Sequence, residues 1–131
     1  MCQFNIMAGI CFLTFGTHVI IFVGNELSYQ TEQSTYYMDR ADPRDEDCKW
    51  RHGDIYGNLV YTTHNLLSIK ISLEWFLGKV AGAGWFFNCT EAGIFGITKR
   101  FKDRHVPWIK QFTLKNGIAQ ARHIMRTGQP F

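Results

Sequence analysis

The strongest constraint on the fold is a pair of short apolar runs, each of which ends in a turn that carries a carboxylate. Residues 18–22 (HVIIF) precede the turn 23–27 (VGNEL), and residues 85–87 (WFF) precede the turn 88–93 (NCTEAG). Apolar, β-branched and aromatic runs of this kind predict buried strands, which are typical of parallel sheets. Ligands bind beyond the carboxyl ends of such strands, so both turns point to one candidate site.

Apolar periodicity predicts three helices around these strands. The first spans 3–15 and is closed by Gly16, the second spans 64–77, and the third spans 114–126 with Thr113 as its N-cap. The second helix carries two apolar stripes, so we expect it to be buried on two sides, against a sheet and against a neighbour or partner chain. The stripes are Leu66, Ile69, Leu73, Phe76 and Leu77 on one face and Leu67, Ile71 and Trp75 on the other.

The order of these elements predicts the fold class. Residues 24–57 are polar and charged and predict a long irregular segment, after which 58–62 form a short strand or the entry to the next helix. Helices that alternate with strands favour an α/β domain with a mostly parallel sheet. A complete doubly wound domain has about five strands or more, and only three are convincing here. We therefore expect residues 1–131 to form a single, small or partial α/β domain, either the C-terminal part of a larger one or a reduced version that pairs with another copy.

Composition excludes several classes of protein. A hydrophobic fraction of 46% argues against disorder, and a net charge of +3 without a dense Lys/Arg block argues against a nucleic-acid partner.

Residues 1–25 carry no Asp, Glu, Lys or Arg, but their pattern changes from helix to strand at Gly16, which favours helix, turn and strand over a membrane span. The four cysteines form no CxxC pair, which predicts free thiols and a cytoplasmic protein.

Glu26, Glu91 and His64 are the candidate catalytic residues. A carboxylate in a turn after a buried strand can ligate Mg²⁺, accept a hydrogen bond from a ribose hydroxyl or act as a base, and it can equally cap a loop. Glu26 is the candidate metal ligand. His64 starts the second predicted helix, where a neutral imidazole can serve as a donor or base, or simply as a polar residue of the capping region. Asn88 and Thr90 are candidate ligand-binding residues because their side chains can hydrogen-bond a polar ligand. Gly93 is a third candidate, because a glycine lets backbone N–H groups approach a ligand.

Three stretches of the chain resemble motifs of the motility accessory factor family, which includes archaeal 6-hydroxymethylpterin diphosphokinases. Residues 8–29 resemble the helix–strand–GQDLAY segment of that family, 56–63 resemble its G-x-x-V-x-T entry to a helix, and 87–96 resemble its INATEGGAxIxG motif. The resemblance implies a Rossmann-like three-layer sandwich with a mostly parallel sheet. It also implies a site lined by Gly24, Asn25, Glu26, Asn88, Thr90, Glu91 and Gly93.

The sequence departs from the family pattern at several positions. Asn25 and Glu26 stand where the family has Gln-Asp, and Ala92 replaces the first glycine of a Gly pair. The family's glycine-rich nucleotide loop is not in this sequence, so a nucleotide site in this chain alone would be incomplete.

Three functions remain open at this stage. Some members of the family are thought to transfer nonulosonic sugars from a CMP donor, and others transfer diphosphate from ATP to a pterin. The resemblance thus implies a transferase for a nucleotide or nucleotide-sugar donor. Glycosyl transfer is the leading hypothesis, and Mg²⁺-assisted diphosphoryl transfer is the second. The third hypothesis is a non-catalytic α/β domain that assembles with itself or a partner, motivated by the two-striped helix, and a homo-oligomer is expected.

Overall fold

Five strands and two helices form in the part of the chain that this computed structural model describes, namely Met7, Gly9 and residues 16–30, 49–99 and 104–131. In chain order they are β1 (Val19–Phe22), β2 (Lys49–Gly53), β3 (Leu59–Thr63), α1 (His64–Lys79), β4 (Trp85–Asn88), β5 (Ile109–Gln111) and α2 (Leu114–Thr127). A short 3₁₀ turn, Ala81–Ala83, joins α1 to β4. The predicted helix at 3–15 lies outside the described residues except for Met7 and Gly9, which are both helical.

A three-stranded parallel sheet carries the two loop motifs. Its order is β1-β4-β5, and both neighbouring pairs are parallel. Phe22 pairs with Asn88, so the last residues of β1 and β4 lie side by side. This confirms an α/β domain with a parallel sheet. Both loop motifs leave the sheet on the side where the strands have their carboxyl ends, which is called the carboxyl edge below.

Both faces of this sheet are covered. Ile20 and Phe22 of β1 pack with Leu73 and Leu77 of α1 in one apolar cluster. Val19 and Ile21, on the other face of the strand, pack in a second cluster, whose buried members are Phe87, Cys89 and Ile124 of α2. The expectation that β1 is packed on both faces is therefore confirmed.

The predicted irregular segment 24–57 contains a strand, so that prediction is wrong in part. Lys49–Gly53 pairs antiparallel with β3 as a hairpin, and Tyr29 forms an isolated bridge to Tyr61 on the other edge of β3. The sequence KWRHG of β2 has no apolar run that would predict a strand. Trp50 is 49% exposed, and the strand is held by its pairing with β3. β3 is the strand predicted near 58–62, but it belongs to this hairpin and not to the parallel sheet.

Both described helices begin at the predicted residues. Thr63 caps α1 by accepting a hydrogen bond from the Leu66 N–H, and Thr113 caps α2 by accepting one from the Asn116 N–H. α2 ends one residue beyond the predicted boundary, and Gly128 follows it in the left-handed conformation. α1 runs through Gly78, which lies against the ring of Trp108, so this glycine does not end the helix.

The two apolar stripes of α1 have different environments. Leu73 and Leu77 of the first stripe are fully buried beneath the parallel sheet. In the second stripe Ile71 is 54% exposed and Trp75 is 63% exposed. The described residues of this chain thus leave Ile71 and Trp75 largely uncovered, while Leu67 of the same stripe is partly buried. Within the same residues, no helix has the length and apolarity needed to cross a membrane.

Packing between α2 and β4 leads to the first prediction. A Cβ added to Gly117 would collide with the Sγ atom of buried Cys89. We expect Gly117→Ala to lower the free energy of unfolding by about 1–3 kcal/mol through overpacking, although alanine normally favours a helix. Urea denaturation measures this change.

Two further variants test the assigned cause. Gly82→Ala has no heavy atom within 4 Å of its added Cβ, and it should change stability by less than about 0.5 kcal/mol. Cys89→Ala should cost less in the Gly117→Ala background than in the wild type, because it removes the clashing sulfur. A Gly117→Ala protein as stable as the wild type would contradict the packing described here.

Candidate functional site

The two loop motifs meet through backbone hydrogen bonds beyond the ends of β1 and β4. The Asn25 N–H donates to Thr90 Oγ1 at 3.0 Å, and the Ile94 N–H donates to the Glu26 carbonyl at 2.9 Å. Gly93 has a φ of 82°, and a Cβ on this residue would collide with the Glu26 carbonyl oxygen. Only glycine permits this approach, and the predicted convergence of the two motifs is observed.

Glu26 presents the free carboxylate of this pair of loops. Its side chain is exposed and accepts no hydrogen bond from any described residue. Gly24, two residues earlier, has a φ of 70°, and no heavy atom lies within 4 Å of the position that a Cβ would occupy there, so its backbone borders open space. Glu26 is therefore available to a ligand.

Magnesium binding at Glu26 fits the geometry only in part. Among the described residues no group of three or more His, Cys, Asp and Glu side chains could hold a metal ion. Mg²⁺ is commonly held by one or two carboxylates together with water and the phosphates of a substrate. A single exposed carboxylate such as Glu26 suits that mode and does not suit a metal held by protein ligands alone.

Asn25 contributes a buried amide beside Glu26. The residue is 1% exposed, and neither the oxygen nor the nitrogen of its side-chain amide has a hydrogen-bond partner among the described residues. An unpaired buried amide is costly and is usually satisfied by ordered water or a ligand. Asn25 is thus the polar group at this edge that most needs a partner.

Asn88 holds the second loop in its observed shape. Its Nδ2 donates to the Phe95 carbonyl at 3.1 Å and to Gln111 Oε1 at 2.9 Å, and its Oδ1 accepts from the Thr90 N–H. The residue is fully buried. Its side chain is occupied by these bonds, so a direct ligand contact by Asn88 does not fit the geometry.

Glu91 acts as a cap for the following helix. Its Oε2 accepts a hydrogen bond from the N–H of Leu114, the first residue of α2, at 3.2 Å. Its backbone has a φ of 61°, an uncommon conformation for a residue other than glycine. A carboxylate at a helix N-terminus is favourable. The Glu91 side chain therefore caps α2, a role that the sequence did not predict.

The described contact of His64 is with an aromatic ring of β2. His64 is exposed at the first position of α1, and its ring centroid lies 6.1 Å from that of Trp50 on β2. No hydrogen bond between described side chains links His64 to Glu26 or Glu91. The role of His64 as a base stays a prediction.

A buried ion pair, which the sequence patterns did not indicate, fixes the far end of the second loop. Lys70 Nζ lies 2.8 Å from Glu74 Oε1, and both residues are buried although they lie on the helix α1. Glu74 Oε1 also accepts the Gly96 N–H at 2.8 Å. Breaking one partner of a buried pair leaves an uncompensated charge, so this contact ties the loop to α1 strongly.

Tyr56 and Asp54 were also missed as residues of this site. The Tyr56 hydroxyl donates to the Glu91 carbonyl at 2.8 Å, and the Ile55 N–H donates to the Gly93 carbonyl at 3.0 Å. Asp54 Oδ1 accepts from the N–H groups of Tyr56 and Asn58. The available signal was the Asp-x-x-Gly pattern at 54–57, which is typical of a turn stabilised by aspartate.

Two titratable groups near the loops have shifted pKa values. Burial lowers the pKa of His52, and the nearby charges of Lys70, Lys99 and Arg104 lower it further, against the opposing bond to the Gly53 carbonyl. Burial raises the pKa of the Cys89 thiol, with a further contribution from Glu91. The lowered pKa favours the neutral form of the His52 imidazole. Cys89 is a protonated free thiol and a poor nucleophile, as expected for a small buried side chain.

A separate cavity of about 750 Å³ lies at the opposite edge of the sheet. His18 and Trp85, at the amino ends of β1 and β4, line it together with Ala81–Ala83 and Met125 of α2. None of the predicted site residues lines this cavity. Ligands of parallel sheets bind at the carboxyl edge, which favours the loops as the functional site.

Comparison with known proteins adds no relative to this picture. The chain matches no protein-family model, and no curated protein or solved structure shows significant similarity to it. The two loops and the sheet that carries them are therefore the basis for a functional proposal.

The contact between the loops leads to the second prediction. Gly93→Ala should lower the free energy of unfolding by more than about 3 kcal/mol, because strain at positive φ adds to a clash with Glu26 backbone. Gly57→Ala is a matched control, since Gly57 has a φ of 84° with no heavy atom within 4 Å of an added Cβ. It should cost only the strain, about 1–2 kcal/mol. Equal losses in the two variants, measured by chemical denaturation, would show that the contact with Glu26 is not required.

Proposed function

We propose that this chain is a transferase domain that binds a nucleotide-activated donor at the carboxyl edge of β1 and β4, and that glycosyl transfer from a sugar nucleotide of the nonulosonic acid type is its reaction. One observation carries the proposal. Two loops meet at this edge, where they leave the Glu26 carboxylate free and the Asn25 amide without a partner among the described residues. A small Rossmann-like three-layer fold is part of the same proposal, supported by the parallel sheet with apolar clusters on both faces.

Each residue near the edge has a role in this proposal. Glu26 binds the donor, either through a ribose hydroxyl or through a Mg²⁺ ion shared with the donor phosphate. A bound Mg²⁺ supplies charge stabilisation for that phosphate. Gly24 lets the donor approach the backbone of the first loop. The side-chain amide of Asn25 forms hydrogen bonds with polar groups of the donor. Glu91 positions the second loop by capping α2, and Thr90 by accepting from Asn25.

Transfer at such a site requires positioning more than a nucleophilic side chain. The bond from the anomeric carbon to the donor phosphate oxygen breaks and CMP leaves. A new bond forms between that carbon and the acceptor hydroxyl oxygen, whose proton passes to the phosphate of the departing CMP or to water. Orientation of two bound reactants lowers the barrier without a covalent intermediate. We include a cytoplasmic location in the proposal, because the free buried thiol of Cys89 suits a reducing compartment.

Nucleotide binding is the third prediction. We expect CMP and CTP to raise the melting temperature of the wild type by several degrees more than ATP or GTP, each tested with and without Mg²⁺. A ligand at about 100 times its Kd adds roughly 2.7 kcal/mol of stability. Glu26→Gln, which removes the charge and keeps the shape, should abolish the shift in a thermal unfolding assay.

Glu91→Gln is the comparison variant. It removes one charge from the neighbouring loop and weakens the cap of α2, so it should melt at a lower temperature than the wild type and keep the nucleotide shift. A Mg²⁺-dependent shift selective for ATP would replace glycosyl transfer with diphosphoryl transfer at the same edge. If none of the four nucleotides raises the melting temperature, both enzymatic hypotheses are contradicted.

Assembly is a second candidate function, favoured by the second stripe of α1. Ile71 and Trp75 are 54% and 63% exposed, and the Lys79 ammonium lies 5.3 Å from the centroid of the Trp75 ring. Apolar side chains adjacent on one helix face and open to solvent are typical of protein contact surfaces. We propose that this stripe contacts a second copy of the chain, with or without transferase activity.

The fourth prediction concerns this assembly. Sedimentation velocity should give a dimer for the wild type and a monomer for Trp75→Glu, because a buried charge at the interface has no partner. Trp50→Glu is the matched control: Trp50 is 49% exposed on β2 rather than on α1, and its replacement should leave the dimer intact. A wild-type monomer at concentrations of about 100 μM would contradict the assembly function.

A further inference from the structure

We propose that Tyr56 is a fixed aromatic platform on which the planar base of the nucleotide stacks. This inference rests on the proposed function and adds to it a residue that determines how the base is bound. It follows from how the tyrosine is held, from how far its ring is exposed, and from which loop it contacts.

The backbone of Tyr56 is held by an aspartate-stabilised turn. Asp54 Oδ1 accepts the Tyr56 N–H at 2.9 Å and the Asn58 N–H at 2.7 Å, and the Gly57 N–H donates to the Asp54 carbonyl at 3.0 Å. Asp54 is 9% exposed, so its carboxylate is shielded from competing water. The turn is therefore a rigid support for the side chain.

The far end of the side chain is held as well. The Tyr56 hydroxyl donates to the Glu91 carbonyl at 2.8 Å, so the ring is tied at both its backbone and its hydroxyl. Tyr56 is nevertheless 66% exposed. A surface tyrosine usually keeps some rotational freedom, and here the hydrogen bond at the hydroxyl restricts it without burial of the ring in a core. Such a ring is preorganised for a ligand.

The ring lies on the loop that carries the candidate site. Its hydroxyl binds Glu91, and the neighbouring Ile55 N–H binds the Gly93 carbonyl, while Gly93 itself contacts the backbone of Glu26. Tyr56 is thus within the same set of contacts as the free carboxylate. In our proposal, a nucleotide whose ribose or phosphate reaches Glu26 places its base over this ring.

Stacking explains why a tyrosine suits this position. A base stacks on an aromatic face through dispersion and electrostatic attraction, and every base has such a face. The platform therefore contributes affinity for the base and leaves selection among bases to polar groups. Replacing a stacking aromatic residue weakens binding of a base by roughly ten-fold or more.

The test compares ligands with and without a base. Isothermal titration of CMP and of ribose 5-phosphate is carried out on the wild type, Tyr56→Leu and Tyr56→Phe. Tyr56→Leu should weaken CMP binding by roughly ten-fold or more and leave ribose 5-phosphate binding unchanged. Tyr56→Phe keeps the ring and should retain most of the affinity for CMP. Trp50→Leu, which removes an exposed aromatic ring from β2, is the control and should bind CMP as the wild type does.

A direct readout accompanies the titration. The cytosine H5 and H6 protons of CMP should shift upfield on binding to the wild type, because they lie over an aromatic ring, and this shift should disappear with Tyr56→Leu. If both ligands weaken equally in Tyr56→Leu, or CMP affinity is unchanged, the platform is overturned and the nucleotide site remains. If ribose 5-phosphate binds the wild type as tightly as CMP does, the platform is likewise overturned. If neither ligand binds at millimolar concentration, the proposed function fails together with this inference.

Discussion

The contact between Gly93 and the backbone of Glu26 is the constraint on which the candidate site depends. Parallel pairing places the ends of β1 and β4 side by side, but pairing alone does not join the loops that follow them. Because Gly93 has no side chain, its backbone lies against Glu26, and the Ile94 N–H reaches the Glu26 carbonyl. The Glu26 backbone is thereby fixed, while its carboxylate has no hydrogen-bond partner in the part of the chain that the structure describes.

The second loop is held by elements from all parts of the described fold. α1 binds it through Glu74 at Gly96, α2 binds it through Glu91, and the β2–β3 hairpin binds it through Tyr56. None of these bonds uses Glu26 or the side-chain amide of Asn25. Rigid support around polar groups that have no partner among the described residues is the arrangement expected of a preorganised binding site. The hairpin lies outside the parallel sheet, but it helps to hold the second loop through Tyr56.

Local sequence patterns predict the elements whose signals are local. Three such signals are the apolar run of β1, the Thr113 cap at the start of α2 and Gly128 at its end. Each can be interpreted without knowledge of other segments. β2 was missed because its charged sequence becomes a strand only by pairing with β3. In the sequence, Lys70 and Glu74 are only polar interruptions of an apolar helix. Their burial could not be predicted, because the contact of Glu74 is with Gly96, 22 residues further along the chain. For the same reason, the sequence predicts that both loops lie together but cannot show that Glu91 caps a helix.

The central claim is that the two joined loops form one ligand site, and amide chemical-shift mapping tests it most directly. CMP is titrated into ¹⁵N-labelled protein, and the backbone amides are followed to saturation. The account predicts saturable shifts at Gly24, Glu26 and Tyr56, with a common dissociation constant, because these residues border the same edge of the sheet. Saturable shifts confined to the cavity lined by His18 and Met125, or no saturable shift at all, would contradict it.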